Sequence, residues 1–187
     1  MIRAVLFDLD GVLVDTYGVW YHLLNDVARR LGHPPISDEV YRPTWGQGIE
    51  RDVACFFPGR DVAEIGRLYT QLYEDHLGHV RAMEGAREFL ERLGLPRAVI
   101  TNSLKALARK ALAYAGLDGF FPVVVGGDDV PRSKPAPDMV LEACRRLGVS
   151  PAEAVVVGDS DFDAEAARAA GAPFVRFRSF AGLRLPQ

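Results

Sequence analysis

The sequence predicts an α/β fold, in which a parallel sheet carries helices on both faces and a small α-helical domain is inserted after the first strand. From residue 83 onward, short apolar runs alternate with longer helical patterns, and this alternation is typical of a parallel sheet. Between the first apolar run and residue 82 the pattern is helical, with no strand pattern. We therefore assign residues 1–14 and 82–187 to an α/β core and residues 15–81 to a helical cap.

Composition narrows the class of protein. The 187 residues are 49% hydrophobic and carry a net charge of −3, which gives no reason to expect nucleic acid or an anionic membrane as a partner. No apolar run approaches the roughly 18 residues of a membrane span, and Arg3 is a weak start for a signal peptide. We expect a cytoplasmic protein that is a monomer or weak homodimer, in which Cys55 and Cys144 are small buried residues and form no disulfide.

The cap is predicted to contain four helical segments after the strand at residues 4–7. The first covers residues 17–31 and ends at Gly32, and a shorter one begins near Pro34 and stops at Pro43. The third covers residues 47–57, and Asp61 is placed to cap the fourth.

The core continues with alternating helices and strands. Strands are predicted at residues 98–101, 122–125, 154–157 and 174–177. Helices are predicted at residues 85–93, 103–116, 137–147 and 161–170, the second of them capped by Ser103. Ligands of such sheets bind outside the carboxyl ends of the strands, so residues that carry chemistry should directly follow strands.

Two carboxylates follow the first strand. Asp8 and Asp10 are two positions apart, so they share a face if the strand continues. Two negative charges at the end of an apolar strand are costly unless a cation or protons compensate them. The alternative is a plain turn at Asp10 and Gly11.

Polar groups also follow three later strands. Thr101, Asn102 and Ser103 place a hydroxyl and exposed amides at a helix start, which suits a phosphate oxygen, although a simple helix cap remains open. Lys134 lies in a proline-rich loop, where the alternative is a solvated surface lysine. The fourth strand end brings three carboxylates within five residues, which is more than a helix amino terminus ordinarily attracts: Asp159, Asp161 and Asp163.

Together the strand ends indicate a site for phosphate chemistry. Carboxylates of the first and fourth ends would bind Mg²⁺, a hard ion that prefers oxygen ligands. Thr101 and Lys134 would hold a phosphate beside the ion, and one carboxylate would attack phosphorus.

The four motifs resemble those of the haloacid dehalogenase superfamily, in the same order and over nearly the whole chain. They are the segments 8–16, 101–103, 134–135 and 158–163. The resemblance implies a Rossmann-like core and the helical cap of the phosphoglycolate phosphatase and β-phosphoglucomutase branch. It implies Asp8 as the nucleophile and Asp10 as general acid and then base, with Thr101 and Lys134 on the phosphoryl group. It further implies a Mg²⁺ site formed by Asp8, the Asp10 carbonyl and Asp159, with Asp163 as a further or water-mediated ligand.

The subclass that the resemblance favours is a phosphatase acting on a small phosphorylated metabolite, similar to phosphoglycolate or a sugar phosphate. Asp10 favours phosphate esters, because a halide leaving group needs no proton. The mutase branch has a His where this chain has Trp20, and His22 is displaced by two positions, so a mutase remains the alternative. A non-enzymatic phospho-acceptor or binding protein is a further alternative.

Substrate selection is expected to fall to the cap and to the second motif. Gln47 and Arg51 lie in a glycine-containing segment that aligns with the substrate-specificity loop of the family, and either side chain can reach a carboxylate or a sugar hydroxyl. Thr101 and Asn102 of the second motif are the other two candidate substrate-binding residues. His76 and His79 have a spacing that suggests a metal pair, but Gly78 and the nearby helix end argue against one.

Overall fold

The computed structural model describes residues 1–186, which form seven strands and eight α-helices joined by loops and short 3₁₀ segments. The strands are β1 (Ala4–Phe7), β2 (Val14–Asp15), β3 (Arg81–Ala82), β4 (Arg97–Ile100), β5 (Val123–Val125), β6 (Ala154–Gly158) and β7 (Phe174–Arg176). The helices are α1 (Tyr17–Arg30), α2 (Asp38–Tyr41), α3 (Ile49–Phe56), α4 (Val62–Leu72), α5 (Ala86–Arg92), α6 (Lys105–Tyr114), α7 (Asp138–Leu147) and α8 (Asp161–Ala170).

Five strands form one parallel sheet in the order β5–β4–β1–β6–β7. β1 lies at its centre, where Val5 is paired with Arg97 of β4 on one side and with Val155 of β6 on the other. The chain fills one half of the sheet first and then crosses β1 to fill the other half, so the direction of winding reverses beside β1. The residues that follow β1, β4 and β6 therefore converge at the crevice where such sheets bind ligands.

Helices cover both faces of the sheet, as predicted. Val5 and Phe7 belong to one apolar cluster, and Ala4 and Leu6 belong to a second one on the opposite face, because successive side chains of a strand alternate. The first cluster includes residues of α5 and α6, and the second includes residues of α7 and α8: Leu90, Leu107, Met139 and Ala166. The predicted α/β fold class is confirmed.

A two-stranded antiparallel ladder, absent from the sequence-based prediction, joins the ends of the helical insert. Val14 of β2 pairs with Ala82 of β3, and Asp15 pairs with Arg81. Each strand has only two residues, too few for an apolar pattern, so periodicity carries no signal for them. The ladder lies next to the predicted limits of the cap, residues 15–81, and the division into core and cap remains our prediction.

Local predictions differ in their outcome. The Asp61 carboxylate accepts a hydrogen bond from the Glu64 amide at 3.0 Å, so it caps α4 as predicted. The prediction that Ser103 caps α6 is wrong, because the helix begins two residues later, after Leu104. Both cysteines are free, but Cys55 is exposed, so the expectation of two buried cysteines holds only for Cys144.

The longest α-helix of residues 1–186 is α1, with 14 residues. None of the described helices combines the length and the apolar character that crossing a membrane requires.

Candidate active site

Three carboxylates meet at the carboxyl end of the sheet. Asp8 follows β1, Asp159 follows the adjacent strand β6, and Asp163 lies in the first turn of α8. Each offers one oxygen, and these oxygens lie within 4.8 Å of one another. Asp8 and Asp163 are buried and Asp159 is partly exposed, so the cluster faces the crevice through Asp159. We call these three residues the acid cluster.

Two glycines make room for the acid cluster. At Gly11, whose φ is +79°, a Cβ atom would lie 2.3 Å from Asp159 Oδ2, which is far closer than any non-bonded contact permits. A Cβ atom at Gly158 would lie 2.3 Å from Asp163 Cγ. The glycines of the first and fourth motifs are therefore needed for the close approach of the carboxylates.

Lys134 lies inside the acid cluster. Its Nζ donates hydrogen bonds to Asp8 Oδ1 at 2.7 Å, to Asp163 Oδ1 at 2.6 Å and to the Ile100 carbonyl at 3.2 Å. Asn102 fixes the lysine loop, since its Oδ1 accepts from the Lys134 amide and its Nδ2 donates to the Lys134 carbonyl. The Lys134–Pro135 peptide bond is cis. Lys134 is thus a buried, positioned ammonium and not a solvated surface group.

One ammonium does not balance three carboxylates. Burial raises the pKa of Asp8, Asp163 raises it further, and the opposing effect of Lys134 does not cancel the two. Burial, followed by repulsion from Asp163, raises the pKa of Asp159 to about 6. Burial alone would lower the pKa of Lys134, but Asp163 and Asp8 outweigh it and the net pKa is raised. The excess negative charge and the all-oxygen donor set fit a hard divalent cation.

Asp10 lies outside the acid cluster and is surrounded by hydrogen-bond donors. Its Oδ1 accepts from the Thr16 hydroxyl and, at 3.3 Å, from the Trp20 indole N–H. Its Oδ2 accepts from the hydroxyls of Thr101 at 3.2 Å and Ser103 at 3.1 Å. Sequence reasoning did not identify Thr16, Trp20 or Ser103 as partners of Asp10, because all three also fit the ordinary patterns of a helix start or an apolar face.

A cavity extends from Asp10 between the core and the helical insert. Its walls include four aromatic side chains, those of Trp20, Tyr41, Trp45 and Tyr69. At its far side lies Asp52, whose carboxylate accepts from Gln47 Nε2 at 2.8 Å and from the Tyr69 hydroxyl at 3.0 Å. Burial nevertheless raises the pKa of Asp52 to about 6. We call this space the leaving-group cavity, since it adjoins Asp10 on the side of the insert.

The structure brings only some of the predicted substrate-binding residues together. Gln47 and Asn102 line the leaving-group cavity, but the amides of both are already engaged, that of Gln47 with Asp52 and that of Asn102 with Lys134 and the Gly46 carbonyl. Arg51 lies outside the cavity, where its exposed guanidinium stacks 4.7 Å above the Phe162 ring.

The histidines of the insert lie apart from the site. His22 does not line the cavity and stacks on His79 with ring centroids 4.5 Å apart, whereas Trp20 occupies the place next to Asp10. His76 Nε2 lies 3.1 Å from Asp26 Oδ2. Within residues 1–186 the acid cluster is the group of three or more side chains whose geometry could hold a metal ion.

Comparison with known proteins shows the family. The chain matches the haloacid dehalogenase-like hydrolase family over residues 5–177. It is 36% identical over 185 residues to a phosphoglycolate phosphatase of Rhodobacter capsulatus, covering 94% of this chain and 84% of the relative. A phosphoglycolate phosphatase of Chromobacterium violaceum is 37% identical over 182 residues, covering 91% of this chain and 82% of the relative.

Solved structures show the same architecture. The crystal structure of CbbY from Rhodobacter sphaeroides in complex with phosphate superimposes with a TM-score of 0.81 at 28% identity. The match covers 97% of this chain and 92% of that chain, and a variant of the same protein was solved with xylulose-(1,5)bisphosphate. The shared fold, the share of the chain that is matched and the sequence identity all point to the same family as the site, whose polar residues follow β1, β4, β5 and β6. This chain belongs to the haloacid dehalogenase-like hydrolases, and the predicted enzyme class, a phosphoric monoester hydrolase, is confirmed.

Proposed function

We propose that this enzyme is a Mg²⁺-dependent phosphatase that hydrolyses a small phosphorylated metabolite, similar to phosphoglycolate or a sugar phosphate, through an aspartyl-phosphate on Asp8. The observation that carries the proposal is the position of Asp8 at the end of β1, where it binds the Lys134 ammonium and lies close to the carboxylates of Asp159 and Asp163. The names of the curated relatives support the substrate class.

Asp8 is built to act as a nucleophile. Its Oδ1 accepts from the Leu9 amide and from Lys134, both at 2.7 Å, and these contacts fix the orientation of the carboxylate. Within the described residues Oδ2 receives no hydrogen bond, so it is the oxygen free to form a bond to phosphorus. As that bond forms, the bond from phosphorus to the ester oxygen breaks, and the leaving alcohol takes up a proton.

Asp10 supplies that proton and takes one back. Three of its four partners are hydroxyls, which can accept as well as donate, so the same contacts can hold either the protonated or the ionised carboxyl. In the second step a water attacks phosphorus, gives a proton to Asp10 and breaks the bond to Asp8 Oδ2. Phosphate leaves, and both carboxyl groups return to their starting state.

Asp8, Asp159 and the Asp10 carbonyl would hold the ion directly. Both oxygens of Asp163 are engaged by protein donors, Oδ1 by Lys134 and Oδ2 by the Ser160 amide and hydroxyl, so we assign it a water-mediated contact. When bound, Mg²⁺ neutralises the repulsion between the Asp8 carboxylate and the phosphate dianion. Lys134 contributes to the same neutralisation through its bond to Asp8, and the Thr101 hydroxyl, which donates to Asp10, is the second group we assign to the phosphoryl group.

The proposal is tested by steady-state phosphate release from p-nitrophenyl phosphate and from a set of phosphorylated metabolites. We expect multiple turnovers with Mg²⁺, none after chelation by EDTA, and recovery on addition of Mg²⁺. Asp8→Asn should lower kcat by about 10³-fold or more, because it removes the attacking oxygen anion.

Asp161→Asn is the matched control. Asp161 lies in the same fourth motif, but its carboxylate is 87% exposed and pairs with Arg176, so kcat should not change. Substantial turnover by Asp8→Asn would refute covalent catalysis at this residue. A single phosphorylation without further release of phosphate would favour the phospho-acceptor alternative.

A further inference from the structure

Two buried hydrogen-bond donors at the leaving-group cavity have no partner. Within residues 1–186, the Tyr41 hydroxyl and the Trp45 indole N–H are the buried side-chain polar atoms that make no hydrogen bond. Both residues line the cavity, and the Tyr41 side chain is almost completely buried. A buried donor that is not satisfied is costly to folding, so such groups in a cavity wall indicate that a ligand supplies the acceptor.

Both of these side chains pack against aromatic rings. Tyr41 packs against the rings of Tyr17 and Tyr21, with centroids 5.0 Å and 5.6 Å away. Trp45 packs edge-on against the ring of Tyr17, with centroids 5.5 Å apart. This packing fixes the orientation of both side chains without satisfying their polar atoms.

The charge of the cavity indicates which acceptor it takes. Asp10 and Asp52 both contribute carboxylates to the wall, and no lining residue of the described chain is a lysine or an arginine. The amino end of α3 also opens here at Gly48, but Glu50 and Asp52 already place two acids in its first turn. Asp10 has to be protonated when the ester binds, because it gives its proton to the leaving alcohol, so Asp52 supplies the negative charge of the wall. A ligand carboxylate would meet this charge and no compensating cation, whereas a hydroxyl would not be repelled.

We propose that the leaving-group cavity binds the uncharged, hydroxyl-bearing part of a phosphate ester, and that the Tyr41 hydroxyl and the Trp45 indole N–H donate to its hydroxyl oxygen. The substrate class is thus a polyol phosphate or sugar phosphate, and an ester whose alcohol carries a carboxylate is a poor substrate. The hydroxyl of such a ligand can in turn donate to the Asp52 or Asp10 carboxylate. Tyr41 and Trp45 are specificity-determining residues, and the inference rests on the proposed phosphatase activity.

Three small esters test which chemical group the leaving-group cavity prefers. Phosphoglycolate and 2-hydroxyethyl phosphate differ only in having a carboxylate or a CH₂OH group, and ethyl phosphate has neither. We expect kcat/KM for 2-hydroxyethyl phosphate to exceed that for each of the other two esters by about tenfold or more, the effect of one satisfied hydrogen bond in a buried site. Asp52→Asn should narrow the gap between phosphoglycolate and 2-hydroxyethyl phosphate, because it removes one repulsive charge.

Tyr41→Phe distinguishes a role of the hydroxyl in substrate binding from a purely structural role. It should abolish most of the preference for 2-hydroxyethyl phosphate over ethyl phosphate, mainly through KM. It should also raise the melting temperature of the ligand-free protein by about 2 °C or more, because an unsatisfied hydroxyl leaves the interior. Tyr114→Phe, at an exposed residue outside the cavity, is the control and should change neither quantity.

Each outcome decides between specific alternatives. A wild-type preference for phosphoglycolate, or an unchanged substrate preference in Tyr41→Phe, would overturn this inference and leave the proposed phosphatase intact. Failure to turn over any ester, p-nitrophenyl phosphate included, would overturn the proposed function and this inference with it.

Discussion

The two ends of the active site differ in whether their hydrogen-bond donors have acceptors. At the phosphoryl end, Lys134 donates to three acceptors, and both oxygens of Asp163 have protein donors. At the leaving-group end, the donors of Tyr41 and Trp45 have no acceptor among the described residues. The phosphoryl end is built by strand ends of the core, and the leaving-group end is built mostly by side chains of the insert.

The difference follows from what each end has to do. Groups that stabilise charge in a transition state work best when the protein already holds them in place, so their orientation costs nothing during the reaction. Groups that select a substrate gain most when only the correct ligand satisfies them, since the wrong ligand leaves them unpaired. We therefore expect substitutions at the phosphoryl end to act on every ester alike, and substitutions at the leaving-group end to change the ranking of esters.

We expect the largest change in stability and kcat from Lys134→Met, which removes the central ammonium of the phosphoryl end. Two buried carboxylates, those of Asp8 and Asp163, lose their common partner. Loss of one member of a buried ion pair costs about 3–5 kcal/mol in the free energy of unfolding. We expect a loss of that size by urea denaturation at pH 8 without metal, together with a fall in kcat of about 10²-fold or more for every ester.

Lys110→Met is the matched control, because Lys110 forms a surface pair with Glu74, whose side chain is 65% exposed. Surface pairs contribute about 0–1 kcal/mol, so its stability and kcat should stay close to wild type. A Lys134→Met protein as stable as Lys110→Met would show that the ammonium does not hold the phosphoryl end together.

The next effect concerns pH and the leaving-group end. The pKa of Asp52 is raised from 3.8 to about 6 in the folded state, so between these values the folded protein binds more protons than the unfolded chain. The free energy of unfolding due to this residue therefore falls as pH rises through the window from about 4 to 6, and the loss is complete above about pH 7. Two pKa units correspond to about 3 kcal/mol.

Asp52→Asn should remove this pH dependence, because the amide does not titrate. Carboxylates whose pKa is lowered, such as Glu142 and Glu153 at about 2, act in the opposite sense in both proteins. The informative quantity is thus the difference in unfolding free energy between Asp52→Asn and wild type, measured at pH 5 and pH 8. The variant should become more stable relative to wild type as pH rises from 5 to 8. A difference that stays constant would show that Asp52 is not held at a raised pKa.

The phosphoryl end could be predicted from the sequence because its residues lie in the segments that follow strands, Asp8 and Asp159 directly and Lys134 in the loop after β5. Asp8, Lys134 and Asp159 come from different strand ends, and the topology of a parallel sheet brings such ends together whatever the intervening segments do. In the structure, the glycines at positions 11 and 158 leave room for carboxylates of the same motifs. Order along the chain was therefore sufficient to place these groups within a few ångströms of one another.

The leaving-group end could not be predicted in the same way. Tyr41, Trp45 and Asp52 come from short helices and loops of the insert, whose mutual orientation depends on side-chain packing and not on a repeating hydrogen-bond ladder. The sequence singled out Arg51 for its charge, but in the structure it stacks on Phe162, and its neighbour Asp52 points inward. A pattern of residue types does not show which of two adjacent polar residues in a helix is buried.

The smallest effect, and the sharpest test of the comparison, is expected from Trp20→Phe. Trp20 lines the leaving-group cavity but donates its indole N–H to Asp10 Oδ1 at 3.3 Å, so it belongs to the chemistry common to all esters. The phenyl ring retains most of the packing against Tyr69 and Tyr73 and loses only the donor. We expect kcat to fall by about fivefold for 2-hydroxyethyl phosphate, ethyl phosphate and phosphoglycolate alike, as for one hydrogen bond of about 1 kcal/mol.

The control is His22→Phe. His22 lies two positions along α1 with its ring stacked on His79, so this substitution should leave kcat unchanged. A change in the ranking of the esters in Trp20→Phe would mean that the boundary between the two ends lies elsewhere, with Trp20 selecting the substrate directly.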